Sequence, residues 1–234
     1  MSYLDQNATY WSQGVYDAPN PETYVYRAYS RVFKFDFGLD GSGHEKLLDF
    51  GCGPGGNTKF YHDHGFEVYG VDLSEIDINR CKDRMPSVAA NFKVVSPAAS
   101  KGDRFFPGTT FKIVTAFQVL YYYNDTDFSA RMQSLYDQMD EGAIIYATMM
   151  DKSCWYYGMS EPAEDGLRLV KLRRPTDKGR DGLHTNDHFI NFVDGKDDLV
   201  NRFKMFTPKH IGYYDSVYRN DNGSEKHLTF IGQK

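Results

Sequence analysis

The sequence predicts an α/β fold in which helices cover both faces of a mostly parallel sheet. Three observations lead to this prediction. From Lys46 onward, short apolar runs alternate with helical segments, as in parallel sheets with crossover helices. The run LLDFGCGPGGNT at 47–58 is an apolar strand that breaks into a glycine-packed turn. The last two apolar runs, 210–218 and 226–232, flank a turn at 220–224 and predict a closing antiparallel hairpin.

The elements between these landmarks each have a local signal. Ser74 is a predicted N-cap for a helix that ends near Arg84, before Pro86, and Asp125 or Thr126 caps the helix after strand four. The predicted strands are 46–50, 67–71, 92–95, 111–117, 142–150, 210–218 and 226–232. The predicted helices are 55–64, 74–84, 125–139 and 197–203.

Two segments flank or interrupt this pattern within what we predict to be one domain, 1–234. The first forty residues form an arm rich in aromatic side chains. Helical spacing at 22–35 predicts a helix, whereas Gly14, Pro19 and Pro21 predict a loop before it. The segment 151–191 is longer than an ordinary connection, so we expect it to be a functional insertion or an added cap.

The glycine-packed turn predicts a nucleotide-like ligand. Because glycine has no Cβ, the backbone at Gly51, Gly53, Gly55 and Gly56 can approach a ligand closely and adopt positive φ. About twenty residues later Asp72 ends the next strand, where its carboxylate can accept hydrogen bonds from ribose hydroxyls. The spacing also satisfies G-x-G-x-x-G, so a dinucleotide-binding oxidoreductase is an alternative.

The residues around the glycines favour a different cofactor. Asp49 would repel the pyrophosphate of NAD, but it suits the cationic amino group of a methionine moiety. With Gly51, Gly53 and Gly55, it resembles the first motif of class I S-adenosylmethionine-dependent methyltransferases. That resemblance implies a Rossmann-like three-layer fold with a seven-stranded sheet and an antiparallel end, S-adenosylmethionine as cofactor and S-adenosylhomocysteine as product. An NAD(P)-dependent oxidoreductase and a non-catalytic cofactor-binding subunit remain the alternatives.

The resemblance also implies a cofactor site. Two departures affect the adenine end, because Ser96-Pro97-Ala98 stands where the family commonly has an acidic residue, and Lys112 stands where it usually has an aspartate. The hydroxyl of Ser96 is the remaining candidate for an adenine contact. The predicted cofactor-binding residues are Asp49, Gly51, Cys52, Gly53, Asp72, Leu73, Ser96, Phe117 and Gln118.

We expect the methyl acceptor to bind beyond the carboxyl ends of strands four and five, beside the insertion at about 151–191. His184 and His188 are candidate general bases in a predicted polar loop, with His188 preferred because it opens an apolar run, and their pKa is expected near that of free imidazole. Tyr122 is the third catalytic candidate. Plain packing is the alternative for the aromatic side chains among the substrate-binding candidates, which are Tyr10, Trp11, Tyr16, Tyr122, Trp155, Tyr156 and Asp187.

The composition limits which classes of ligand and partner the protein is expected to bind. The formal net charge of −5 argues against a large nucleic-acid footprint. The basic run at 171–175 suits a solvated loop, with phosphate binding as the alternative. Three cysteines without C-x-x-C pairing indicate neither a disulfide framework nor zinc, no carboxylate set suits magnesium, and a reducing cytoplasm fits. No export signal or membrane-spanning run is found. The expected acceptor is a small molecule such as a sugar, polysaccharide precursor or secondary metabolite. Oligomeric state and the choice between oxygen and nitrogen stay open.

Overall fold

The computed structural model describes residues 2–14, 17–172, 186–216 and 224–234. Its helices are α1 (Tyr3–Trp11), α2 (Thr23–Ala28), α3 (Lys34–Asp36), α4 (Gly56–Asp63), α5 (Glu75–Arg84), α6 (Asp125–Asp137), α7 (Trp155–Gly158) and α8 (Gly195–Arg202). Its strands are β1 (Lys46–Phe50), β2 (Glu67–Asp72), β3 (Phe92–Val94), β4 (Phe111–Ala116), β5 (Met139–Met150), β6 (Ser160–Pro162), β7 (Arg168–Leu172), β8 (Asn186–Ile190), β9 (Thr207–Tyr214) and β10 (His227–Gln233).

The main sheet has seven strands in the described part of the chain, in the order β3-β2-β1-β4-β5-β10-β9. The first five strands are parallel, and β10 lies antiparallel between β5 and β9. This confirms the predicted class I methyltransferase fold. The antiparallel pairing also has a consequence for the site. The start of β10 lies opposite Met150, so His227 and its partner Tyr214 are at the same edge of the sheet as the carboxyl ends of β4 and β5.

The core has two layers because neighbouring residues of a strand point to opposite faces of the sheet. Leu47 and Ile113 pack with the side chains of α2, α4 and α5, whereas Leu48 and Val114 pack with those of α6 and α8. Both faces are therefore covered by helices. This is why the central strands have continuous apolar sequences rather than alternating ones.

The N-terminal arm contains one helix that the sequence did not predict. Ser2 caps α1 and forms a capping box with Asp5. The buried residue of α1 is Asn7, whose side chain bonds the backbone of Tyr122 and Phe189 and attaches the helix to β8. The predicted helix at 22–35 is confirmed as α2, one π turn at Tyr29–Phe33 and α3.

Several local predictions are corrected. His188 lies within strand β8 of a three-stranded antiparallel sheet, β6-β7-β8, and not in a loop before a helix. The N-cap of α6 is Asn124, whose side chain accepts from the amide of Asp127, and β5 begins at Met139 where the helix was predicted to end. The predicted turn at 220–224 lies mostly outside the described residues. No helix among the described residues is long and apolar enough to span a bilayer.

Candidate functional site

The glycine-rich turn follows β1 and has a left-handed backbone at Gly51, Gly53 and Gly55, with φ of 77°, 50° and 87°. A Cβ at position 51 would lie 2.7 Å from the side chain of Val119, and one at position 55 would lie 2.7 Å from Sγ of Cys81. A Cβ at Gly53 would have no atom within 4 Å. Gly51 and Gly55 are thus required by internal packing. Gly53 faces the open space that a ligand in contact with backbone needs, so the turn fits the implied cofactor.

Asp72 is held beside this turn by main-chain donors. Its Oδ2 accepts from the amide of Gly53 at 2.8 Å, and its Oδ1 accepts from the amide of Ser74 at 2.9 Å. Burial raises the pKa of this carboxyl above its usual value. Each carboxylate oxygen keeps a second lone-pair site, so Asp72 can still accept from ribose hydroxyls. Ribose binding by Asp72 stays a prediction.

Asp49 is oriented differently from the sequence-based expectation that it aims at the turn. Its carboxylate is buried, with Oδ2 accepting from the hydroxyl of Thr58 at 2.6 Å and Oδ1 from that of Thr115 at 2.9 Å. Burial raises the pKa of Asp49 to about 6. The side chain therefore ties β1 to α4 and β4, and a contact between Asp49 and the cofactor stays a prediction.

The remaining cofactor candidates surround the same sheet edge. Cys52 is buried with its Sγ 3.9 Å from that of Cys81, so its side chain packs beneath the turn. Leu73 is half-buried directly after Asp72, and Phe117 is buried in edge contact with Tyr146. Ser96 is exposed just beyond β3, where its hydroxyl accepts from the amide of Ala98. Its contact with adenine stays a prediction.

Gln118 follows the end of β4 by two residues and has a backbone conformation that is rare for residues other than glycine. Its φ is 54°, in the left-handed region, and its amide donates to the hydroxyl of Thr148 at 2.8 Å. Its exposed side chain donates to the phenolic oxygen of Tyr214 at 3.0 Å. Such strained backbone is frequent at functional sites. Here it places the side-chain amide of Gln118 against Tyr214, at the end of β9.

The N-terminal arm lies against the start of α4. A Cβ at Gly56 would be 2.3 Å from the carbonyl oxygen of Ala18, and the amide of Glu22 donates to the side chain of Asn57 at 2.9 Å. Asp17 forms an ion pair with Arg84 of α5. Residues 17–22 are therefore fixed next to the glycine-rich turn.

A series of stacked and edge-to-face rings, here called the aromatic wall, crosses the carboxyl edge of the sheet. Neighbouring ring centroids lie between 4.2 Å, for Tyr24 and Tyr214, and 6.3 Å, for Tyr122 and His188. The structure brings together four predicted residues and adds four that the sequence analysis did not select. In spatial order the wall consists of Tyr10, Trp11, His188, Tyr122, Tyr121, His227, Tyr214 and Tyr24.

The other acceptor candidates lie near the wall or outside the described residues. Trp155 and Tyr156 form part of α7, where Tyr156 donates to Glu225 at 2.8 Å and the side chain of Trp155 is exposed. The carbonyl of Asp187 accepts from Gln6 of α1. His184 and Tyr16 lie outside the described residues. Among the residues that are described, no three histidine, cysteine or acidic side chains are grouped as a metal site would require.

Two histidines of the aromatic wall, His188 and His227, are buried. The sequence analysis selected His188 but did not select His227. Burial lowers the pKa of His188 to about 4, so the expectation of a pKa near that of free imidazole is wrong. His227 is likewise buried, and burial lowers its pKa to about 4. The sequence KHLTFIG indicated only a closing strand. The available signal was position, because the first residue of a strand antiparallel to β5 lies at the carboxyl edge.

Comparison with known proteins supports a methyltransferase, as the fold and the glycine-rich turn indicate. The methyltransferase domain family matches residues 22–206. A S-adenosylmethionine-dependent methyltransferase from Methanosarcina mazei is 18% identical and superposes with a TM-score of 0.64 over 86% of this chain and 97% of that one. The N-methyltransferase NodS from Bradyrhizobium japonicum, in complex with S-adenosylhomocysteine, is 12% identical with a TM-score of 0.61 over 98% and 99% of the two chains.

A third similar structure contains a named acceptor. The 1,6-didemethyltoxoflavin-N1-methyltransferase from Burkholderia thailandensis is 15% identical, with a TM-score of 0.56 over 94% of this chain and 93% of that one. No protein in the curated sequence comparison matches the chain. The family match covers most of the chain. It favours a methyltransferase over an oxidoreductase or a non-catalytic cofactor-binding subunit. The chain belongs to the methyltransferase domain family and is a S-adenosylmethionine-dependent methyltransferase, class EC 2.1.1.

Proposed function

We propose that the enzyme methylates an oxygen or nitrogen of a small molecule that binds with a ring against the aromatic wall. The observation that carries this proposal is the position of the wall, which lies at the sheet edge that also holds the glycine-rich turn. Aromatic side chains offer flat apolar faces that suit an aromatic ring or the face of a sugar. A sugar, a polysaccharide precursor and a ring-containing secondary metabolite all fit this description.

The cofactor end is assigned to the turn and to Asp72. S-adenosylmethionine, when bound, supplies an activated methyl group to the attacking atom. The open backbone at Gly53 can pack against its methionine portion, and the free lone pairs of Asp72 suit its ribose hydroxyls. These groups already hold each other through the Gly53–Asp72 hydrogen bond, so little reorganisation is needed on binding.

The acceptor end is assigned to the wall and its polar rim. Burial raises the pKa of Tyr24, Tyr121 and Tyr214, so their hydroxyls stay protonated and can donate hydrogen bonds to the acceptor. The side chain of Gln118 is a further donor at this rim. The rings exclude bulk water from the line of attack, which methyl transfer requires.

His188 and Tyr122 stay candidates for groups that touch the acceptor. Their rings are in edge contact with a centroid distance of 6.3 Å, and His188 also contacts Tyr10 at 4.5 Å. The low pKa of His188 keeps its imidazole neutral at physiological pH, so it can accept a hydrogen bond or a proton. Asp187, Trp155 and Tyr156 are proposed at the outer rim of the same site.

An acceptor panel tests the proposal. Sugar nucleotides, phenols and aliphatic amines are incubated with enzyme and S-adenosylmethionine, and release of S-adenosylhomocysteine is measured. We expect turnover with ring-bearing acceptors, and we expect Tyr122→Ala to raise KM for them. Phe35→Ala, a change at an exposed ring of α3 outside the aromatic wall, serves as the aromatic control and should leave KM unchanged. Preference for an acyclic amine with unchanged KM in Tyr122→Ala would contradict the proposal.

A further inference from the structure

His227 has one ring nitrogen whose protonation state is set by its neighbour. Its Nδ1 lies 2.6 Å from the backbone carbonyl oxygen of Glu225. A carbonyl oxygen can only accept, so Nδ1 must carry the hydrogen. In the neutral ring Nε2 then has a free lone pair and is a hydrogen-bond acceptor.

The Nε2 atom that carries this lone pair is buried and accepts no hydrogen bond from the described residues. His227 is 4% exposed, and its Nε2 has no hydrogen-bond partner among the described residues. A buried polar atom without a partner costs free energy, so it needs an explanation. The ring stacks on Tyr214 at 4.9 Å with an interplanar angle of 8°, and it contacts Tyr121 at 5.5 Å. These contacts fix its orientation within the aromatic wall.

The neighbouring groups make His227 different from the rest of the wall. The tyrosine hydroxyls around it stay protonated and serve as donors, whereas Nε2 is an acceptor. The side chain of Gln118 binds Tyr214, the ring on which His227 stacks, and Val119 contacts the glycine-rich turn at Gly51. His227 is therefore connected to the cofactor turn through two successive residues of one loop. In His188 the corresponding Nδ1 has no hydrogen-bond partner among the described residues, so no such contact fixes its tautomer.

We propose that Nε2 of His227 binds the O–H or N–H group of the acceptor and takes its proton during methyl transfer. The acceptor's O–H or N–H bond breaks toward Nε2, and the freed electron pair forms the new bond to the methyl carbon. The C–S bond breaks with its electron pair going to sulfur, which yields S-adenosylhomocysteine, and the imidazolium then releases the proton to water. This inference rests on the proposed function and specifies which residue contacts the nucleophile.

The test compares two probes that differ in one hydrogen-bond donor. 4-Fluorophenol and 4-fluoroanisole are titrated by ¹⁹F NMR into enzyme saturated with S-adenosylhomocysteine. We expect the wild type to bind the phenol about 3- to 10-fold more tightly, the scale of one hydrogen bond. His227→Asn keeps a donor toward the carbonyl of Glu225 but lacks Nε2, so the ratio should fall to about 1. The exposed His210→Asn, on the partner strand β9, should keep the wild-type ratio.

Two further measurements exclude a folding artefact. Both variants should bind S-adenosylhomocysteine as the wild type does in calorimetry. If His227→Asn does not, His227→Gln takes its place, because its amide oxygen can accept where Nε2 lies. That variant should keep part of the phenol preference but lose about 10²- to 10⁴-fold in kcat with any acceptor found, since an amide is not a base.

Equal binding of the two probes by the wild type would overturn the inference. So would an unchanged ratio in His227→Asn, or normal kcat in His227→Gln. The probe ratio is measured without turnover. If no acceptor in the panel is methylated, the proposed function is contradicted. The NMR binding ratio still decides whether Nε2 of His227 accepts a hydrogen bond from the probe.

Discussion

The carboxylate of Asp72 is a single group on which cofactor affinity should depend. Asp72→Ala removes the proposed acceptor for ribose and also the bond that orients the amide of Gly53. We expect it to weaken binding of S-adenosylhomocysteine by about 1.5–3 kcal/mol, the scale of a hydrogen bond to a charged group. Isothermal titration calorimetry measures this loss. Asp63→Ala, at an exposed ion pair of α4, is the matched control, and equal affinity in the two variants would contradict the assignment.

The buried imidazoles of His188 and His227 should make stability depend on pH. In each, the folded pKa of about 4 lies below the usual 6.5, so the unfolded state binds more protons between these values. Stability should therefore be full above about pH 6.5 and fall as pH decreases toward 4. At pH 5 each histidine contributes a loss of about 2 kcal/mol at most. Asp49 acts in the opposite direction over pH 4–6, because its folded pKa is raised.

Urea denaturation at pH 7 and pH 5 checks this dependence. His188→Asn and His227→Asn should each reduce the difference between the two free energies of unfolding, because they remove a group that gains a proton on unfolding. Thr9→Ala, an exposed change that removes no titratable group, should leave the difference unchanged. Identical pH dependence in all four proteins would show that neither buried ring is held neutral by the fold.

At the scale of elements, the parallel strands were predictable and the N-terminal helix was not. Strands β1, β2 and β4 carry continuous apolar runs between turn signals, and their predicted bounds differ from the observed ones by at most one residue. Helix α1 packs Leu4, Tyr10 and Trp11 against the domain, but the residue it buries fully is the polar Asn7. Its position depends on hydrogen bonds to the backbone of Tyr122 and Phe189, more than a hundred residues away. No local pattern encodes such a contact.

The candidate site likewise contains residues that the sequence could predict and residues that it could not. Gly53 and Asp72 could be predicted because turn and strand end lie close together in sequence. Tyr24, Tyr214 and His227 could not, because they meet only through the antiparallel pairing of β9 with β10 and the packing of α2. A histidine at the start of a terminal strand becomes a site residue only when the strand order is known.

The attachment of α1 can be tested through Asn7. Its side chain donates to two carbonyl oxygens and accepts from one amide, all on the site side of the helix. Asn7→Ala should leave these groups unpaired and increase hydrogen exchange in 3–11 and 186–190. Global stability should fall by about 1–3 kcal/mol or less, because the loss is local. Thr9→Ala, at an exposed position of the same helix, should preserve the wild-type exchange. Unchanged exchange in Asn7→Ala would mean that α1 is held by its rings alone.

For the whole molecule, the arm and the sheet have separable roles. Residues 2–11 contact β8 and the aromatic wall, and 17–22 contact α4, whereas the two core layers begin with Val25 and the strands from Lys46. Deletion of residues 1–20 should therefore reduce kcat/KM by more than tenfold, because Tyr10 and Trp11 are lost and water enters the acceptor site. The midpoint of thermal unfolding should change by only a few degrees, since the sheet and both core layers are kept.

Hydrogen exchange links this deletion to ligand binding. Addition of S-adenosylhomocysteine to the full chain should increase protection at the glycine-rich turn and in 17–29, because the arm lies against the start of α4 beside the bound ligand. The truncated chain should still bind S-adenosylhomocysteine, since Gly53 and Asp72 are unchanged, and circular dichroism should report a folded sheet. Wild-type kcat/KM in the truncated chain, together with unchanged protection of 17–29 on ligand addition, would mean that the arm only packs against the domain. Lost cofactor binding together with lost folding would instead make it part of the core.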